Sequence, residues 1–210
     1  MPGHRLFAAL YDRILSGTEK AGLSEMRAAL VADARGRTLE LGAGTGLNLA
    51  HYTDAVTELV ATEPDPFMAR KLRDKLSQDP PAPGSVEVVE AAAERLPFED
   101  DSFDTVVGTL VLCTVDDPDA AVREIARVLR ADGQFLYLEH VRDPDEGGLA
   151  RWQDRLERPW GWVGAGCHPN RDTAATMAAA GFDVQPDRGE LPKAPPLVRP
   201  LIRGSASLPA

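Results

Sequence analysis

A chain of 210 residues, 43% hydrophobic and 27% charged, is long enough for one α/β domain with a sizeable core and a solvated surface. Its formal net charge of −10 repels phosphate backbones and anionic membranes, and no basic patch stands out among the scattered arginines, so nucleic acid is excluded as an expected partner. The two cysteines, Cys113 and Cys167, lie far apart, which implies no disulfide framework and predicts reduced thiols in a cytoplasm.

Met1 to Gly17 has charges among short apolar groups and no small-residue cleavage site, so no leader is expected, and no stretch reaches the roughly 20 apolar residues of a membrane span. Phe7 to Ala34 reads as two helices, with Phe7, Leu10, Tyr11 and Ile14, then Met26, Leu30 and Val31, at helical spacing. Arg37 to Gly42 is a first strand that ends in a glycine-rich turn, and Gly46 to Tyr52 opens a helix carrying His51. Thr57 to Thr62 is a second strand, and Pro66 to Leu76 a helix burying Phe67, Met68 and Leu72. After a proline-rich loop come a strand at Val86 to Val89 and an apolar run, Phe103 to Leu112, suited to a strand buried on both faces. Asp116 to Arg130 is helical and is ended by Asp132–Gly133, before a strand at Gln134 to Glu139. Leu149 to Leu156 and Asp172 to Ala180 are further helices, separated by the glycine- and tryptophan-rich Pro159 to Gly166. Phe182 to Gln185 and Leu201 to Ser205 are the last strands.

This alternation predicts an α/β fold: a doubly wound, mainly parallel seven-stranded sheet with helices on both faces and an N-terminal helical lid. One domain is the simplest division. Within it, residues 1–34 form the lid, 35–140 the cofactor-binding core, 141–181 an acceptor-side insert and 182–210 the C-terminal strands.

Glu40-Leu-Gly42-Ala43-Gly44-Thr-Gly46 sits where the first strand turns over, and glycine there lets backbone approach a ligand. A dinucleotide fingerprint needs Gly or Ala where Leu47 stands, and the phosphate-loop pattern is absent. Glu63, at the end of the second strand and before Pro64, can accept hydrogen bonds from two vicinal ribose hydroxyls. The pattern Glu-x-Gly-x-Gly-x-Gly resembles the first motif of class I S-adenosylmethionine-dependent methyltransferases. Ala91 to Asp104, with Ala93, Glu94, Leu96, Pro97, Phe98, Ser102, Phe103 and Asp104, resembles the adenine-side segment of the methyltransferase-11 and UbiE-like group. The resemblance implies a Rossmann-like methyltransferase fold and S-adenosylmethionine as cofactor. It implies that the glycine turn (Gly42, Ala43, Gly44, Gly46) holds the methionine moiety, that Glu40 binds its ammonium, and that Glu63 binds ribose. Asn48, Thr109, Leu110 and a lid residue, Tyr11, complete the expected cofactor site. Ala92 stands where the family has an acid contacting adenine, which leaves Ala92 and Ala93 backbone, Glu94 or packing to hold that ring.

The Asn/Asp-Pro-Pro-Tyr/Phe signature of many amino-group methyltransferases is missing after the fourth strand, where Thr109-Leu-Val-Leu-Cys113-Thr stands. All three tryptophans, Trp152, Trp160 and Trp162, fall in the insert and could wall the acceptor side. Trp160, Gly166, Cys167, Arg171, Asp172 and Thr173, with Asn48, Tyr52 and Glu139-His140-Val141, resemble a subgroup that includes the alkyl-thiol methyltransferases, whose N-terminal membrane anchor has no counterpart expected here. That resemblance implies a small thiol acceptor. O- or C-methylation of a phenol, quinol or natural product is the alternative within enzymes, and a non-catalytic cofactor binder is the alternative outside them. His140, ending the fifth strand at the carboxyl edge, is the expected general base. The expected acceptor-side residues are Cys113, Trp160, Trp162, Cys167 and His168. Cys167 and His168 are adjacent and point apart, a poor pair for a metal, and no metal is expected.

Overall fold

A computed structural model describes residues 16–79, 86–145, 147–164, 166–191 and 193–209. The first expected helix and Tyr11, within the first 15 of the 34 residues expected as a lid, lie outside the described residues. The chain forms an eight-stranded sheet: β1 (Gly36–Leu41), β2 (Val56–Thr62), β3 (Val86–Val89), β4 (Phe103–Thr109), β5 (Leu129–His140), β6 (Asp183–Val184), β7 (Asp187–Glu190) and β8 (Pro200–Ser207). The order is β3-β2-β1-β4-β5-β8-β6, with β7 also on β8. The first five strands run parallel, and β8 enters antiparallel beside β5. The strand order reverses between β1 and β4, the point where open α/β sheets hold ligands at their carboxyl ends.

Five helices accompany the sheet among the described residues: α1 (Ser24–Val31), α2 (Pro66–Gln78), α3 (Pro118–Val128), α4 (Gly148–Val163) and α5 (Thr173–Ala179). A π-helical turn, Glu19–Leu23, leads into α1. Three helix starts are written in aspartate. Asp65 accepts from the amides of Phe67 and Met68, Asp117 from Ala120, and Asp172 from Ala175, with Pro66 and Pro118 preset at the first position of α2 and α3. Side chains alternate across the strands, as period 2 requires. Val106, Phe135 and Tyr137 join α3 and α5 in one core, while Val107, Leu136 and Leu138 join α1 and α2 in the other.

The structure departs from the expected elements in ways that matter for the site. The run from Phe103 stops as a strand at Thr109, because Leu110 adopts φ 60° and the chain turns. Glu139, fully buried in β5, collects that turn: its carboxylate accepts the amides of Val111 (2.9 Å), Leu112 (3.0 Å) and Cys113 (3.1 Å). The expected helix from Gly46 is a single 3₁₀ turn, Leu49–His51, ended by extended Tyr52. Asp132–Gly133 does not end a helix. α3 stops at Val128, and buried Leu129 already pairs with Phe103, with a register shift carrying β5 past Asp132 and Gly133. Helix α4 continues through Pro159 to Val163, so part of the expected loop is helical. The eighth strand, β7, was not expected: Asp187-Arg-Gly-Glu is wholly exposed and has no apolar signal. Pro186, which has no N–H, separates β6 from β7 along the outer edge of β8.

Candidate active site

The glycine turn runs from the end of β1. The amide of Ala43 donates to Thr62 O at 2.9 Å, and that of Gly44 to Glu63 Oε2 at 2.8 Å, so the ends of β1 and β2 are tied together. Gly42 (φ 54°) and Gly46 (φ 78°) take left-handed backbone, and a Cβ would meet Val111 at 3.0 Å and Leu49 and Leu72 at 2.7 Å. Alanine at Gly46 would therefore strain the backbone and displace the Leu49 and Leu72 methyls. The contact of Gly42 with Val111 sets the glycine turn directly against the turn that follows β4.

Glu63 is 7% exposed, and its Oε1 accepts the Asp65 amide at 2.8 Å. Burial pushes its carboxyl above the usual range, and the two amides partly offset this. One lone pair on each oxygen remains for hydroxyl donors.

Beneath the turn lies a buried polar network that spans five chain segments. Arg27 of α1 is 4% exposed. Its Nε donates to Glu19 at 3.1 Å, and its guanidinium NH1 group donates to Asn48 Oδ1 at 3.1 Å and Thr109 Oγ1 at 2.7 Å. Asn48 Nδ2 donates to Glu40 Oε1 at 3.0 Å and Thr109 Oγ1 at 3.0 Å, and Tyr52 donates to Glu40 Oε2 at 2.9 Å. Glu40, Asn48 and Thr109, singled out from sequence, thus meet. Arg27 was not foreseen. The available signal was a charge on the same helical stripe as Leu23, Leu30 and Val31, all buried.

Burial raises the Glu40 carboxyl from 4.5 to about 7, against lowering by Tyr52, Arg27 and Asn48. Between those values the folded chain keeps a proton that the unfolded chain has lost. Stability from this group is therefore complete below about 4.5 and is lost as pH rises through about 7. Cofactor-free protein is expected to melt at a higher temperature near pH 5 than near pH 7.5, with a smaller difference in Glu40→Gln. An unchanged pH slope in that variant contradicts the assignment.

In the segment expected to face adenine, Ala93 is buried and Ala92 exposed, with Ala92 O accepting the Arg95 amide at 3.1 Å. Glu94 Oε1 accepts the amides of Asp116 (2.8 Å) and Asp117 (3.4 Å), which fixes the approach to α3. Pro64 is exposed beside Glu63, and Leu110 is half-buried.

The acceptor-side residues divide. Trp162 is 92% and Trp152 54% exposed, so the expected tryptophan wall reduces to Trp160, which packs on the core formed with α1 and α2. His168 turns away to Glu157 at 2.8 Å. Cys113, His140 and Cys167 converge: His140 Nδ1 lies 3.8 Å from Cys113 Sγ and 3.7 Å from Cys167 Sγ. His140 is 9% exposed, and its Nε2 is buried without a partner. The Cys167 thiol is held below the usual thiol range, chiefly by its sharing of a proton with Cys113 and then by His140. The same sharing and burial push the Cys113 thiol up. The insert locks this cluster. The His168 amide donates to Cys113 O at 2.7 Å, and Arg171 donates to Leu112 O at 2.6 Å and Val115 O at 2.7 Å. Buried Gln153 of α4 donates to the carbonyls of Val141, Pro169 and Leu197, and so ties the insert to the sheet edge.

A parallel sheet whose first strand opens into a glycine turn, with a buried carboxylate just after the next strand, is the arrangement by which open α/β folds hold nucleotide cofactors. A methyltransferase-domain family matches residues 39–137. Human thiol S-methyltransferase TMT1B is 30% identical over 200 residues, covering 93% of this chain and 80% of its own length. The ubiquinone/menaquinone biosynthesis C-methyltransferase UbiE of Vibrio vulnificus is 36% identical over 140 residues, covering 63% of this chain and 53% of its own. A Thermotoga maritima crystal structure titled as a SAM-dependent methyltransferase superposes with TM-score 0.68 at 24% identity, covering 96% of this chain and 94% of that one, and shares the fold. The chain belongs to this methyltransferase family. It is an S-adenosylmethionine-dependent enzyme. The residues present fit that cofactor: left-handed glycines at Gly42 and Gly46 leave the turn bare of side chains, and Glu63 keeps acceptor capacity for a vicinal diol.

Proposed function

We propose that the protein methylates the sulfur of a small thiol. The observation that carries this reading is the likeness to a thiol S-methyltransferase, which runs well beyond residues 39–137 into the acceptor-side chain. The cysteine-lined edge beside the glycine turn supports it.

Bound S-adenosylmethionine supplies an electrophilic methyl on a sulfonium. The chain's own residues do the rest. The glycine turn and Asn48 shape the methionine end. Glu40, in its buried network, supplies negative charge near the ammonium. Glu63 accepts from the ribose, and Ala92 and Ala93 border the adenine. A thiol with a pKa of about 8.5 is partly ionised near neutrality, so alignment and water exclusion are the main demands. His140 is already engaged through Nδ1 with two thiols, which makes it a member of a buried cluster rather than a free base. Among the described residues no helix is long and apolar enough to cross a membrane. Two buried free thiols suit a reducing cytoplasm, where the partner is a small molecule.

The test is a panel of alkyl and aryl thiols, phenols, quinols and amines with radiolabelled methyl donor. Label on thiols is expected. Label on a phenol or quinol with none on any thiol sinks the reading.

A further inference from the structure

Three segments each bring one soft or borderline donor to the carboxyl edge of the sheet: the turn after β4 (Cys113), the end of β5 (His140) and the insert (Cys167). Their donor atoms all lie within 4.8 Å of one another. A tetrahedral ion bonded at about 2.3 Å to sulfur and about 2.0–2.1 Å to nitrogen separates those ligands by about 3.5–3.6 Å. The observed separations, 3.8 Å and 3.7 Å, are wider by only a few tenths of an ångström. The two thiols are the hydrogen-bond partners of the ring among the described residues, and nothing else polar orients it.

Two thiols and an imidazole select a thiophilic cation such as Zn²⁺ over Mg²⁺ or Ca²⁺. No fourth His, Cys, Asp or Glu joins the set among the described residues. Three protein ligands and an open position are the pattern of catalytic zinc sites, whereas structural sites are closed. Burial of all three residues and the clamp by Glu139 and Arg171 hold the donors in place. A Cβ placed on Gly42 would lie 3.0 Å from Val111, two residues before Cys113, so the turn that carries Cys113 adjoins the glycine turn.

We propose that Cys113, His140 and Cys167 bind one Zn²⁺ and that its open position takes the sulfur of the acceptor thiol. This rests on the thiol reading and adds the means of activation. On coordination the acceptor S–H bond breaks and its proton goes to solvent, leaving a zinc-bound thiolate. A sulfur lone pair then forms the new S–CH₃ bond as the sulfonium–methyl bond breaks, with that electron pair going to the donor sulfur. The neutral thioether product is a weaker ligand than a thiolate, and it leaves.

The full chain, kept in a non-thiol reductant and stripped by chelation, is titrated with Co²⁺ and then Zn²⁺. One equivalent of Co²⁺ is expected to give tetrahedral absorption with a thiolate charge-transfer band, abolished by one equivalent of Zn²⁺. Cys113→Ser and Cys167→Ser, checked for folding by circular dichroism, are each expected to bind at least about 100-fold more weakly. Zinc-loaded protein is expected to methylate a thiol at least about tenfold faster than stripped protein. Absence of stoichiometric binding by the parent chain, or binding that survives both serine replacements together, overturns the site. Equal thiol methylation with and without zinc overturns the activation while the thiol reading stands. Stoichiometric binding with methylation of a phenol and no thiol keeps the metal site and overturns the acceptor.

Discussion

Glu139→Ala is expected to lower the melting temperature by roughly 10–20 °C. The carboxylate is fully buried and accepts three consecutive backbone amides, those of Val111, Leu112 and Cys113. Truncation leaves three buried N–H groups without acceptors, each costing about 1–3 kcal/mol, and opens a cavity beside Gly108 and Phe135. The three amides alone sum to about 3–9 kcal/mol, a large share of the about 5–15 kcal/mol that stabilises an ordinary domain. Glu139→Gln keeps one oxygen for Val111 and Leu112 but sets an NH₂ near the Cys113 amide, so it is expected to fall between. Thermal denaturation followed by circular dichroism measures both. A Glu139→Ala variant melting within about 2 °C of the parent contradicts the role assigned to this carboxylate.

Glu63→Ala is expected to weaken S-adenosylhomocysteine binding by about 100-fold or more. On the proposed ribose role of Glu63, two charge-assisted hydrogen bonds, each worth about 1.5–3 kcal/mol, are lost. The same oxygens also anchor the Gly44 and Asp65 amides, so part of the loss comes from loosening of the glycine turn. Glu63→Gln separates the two effects. It keeps one acceptor oxygen and is expected to lose about tenfold in affinity with little change in melting. Calorimetry on both variants gives the comparison, and an unchanged affinity in Glu63→Ala removes Glu63 from the ribose site.

The cofactor half of this protein was legible in its sequence because backbone chemistry is local there. Glycines at Gly42 and Gly46 mark a left-handed turn that other residues rarely adopt, and the strand-end acid follows in register. The sheet was legible from alternating apolar runs, except where side chains override them. Glu139 cuts the run from Phe103 short by capturing the amides of the turn that follows β4, a long-range event that no local period encodes. β7 escaped notice because its residues are all exposed and it exists through pairing with β8.

The acceptor side was harder to read, for the same reason in stronger form. His140 and the two cysteines were each singled out, yet Cys167 was weighed with its sequence neighbour His168. The structure turns His168 to Glu157 and brings Cys167 to His140 and Cys113. Trp162 looked like part of a binding wall and stands in solvent. Arg27 was hidden by its place on an apolar helix face, where its charge is absorbed by Glu19, Asn48 and Thr109.

The central claim, that sulfur is the atom methylated, is tested most directly by competition. The full chain is given isotopically labelled S-adenosylmethionine with an equimolar mixture of an aryl thiol and the matching phenol, and the products are resolved by mass spectrometry. The labelled methyl is predicted on the thioether, in large excess over the aryl ether. Label found on oxygen, with the thiol recovered unmethylated, contradicts the account.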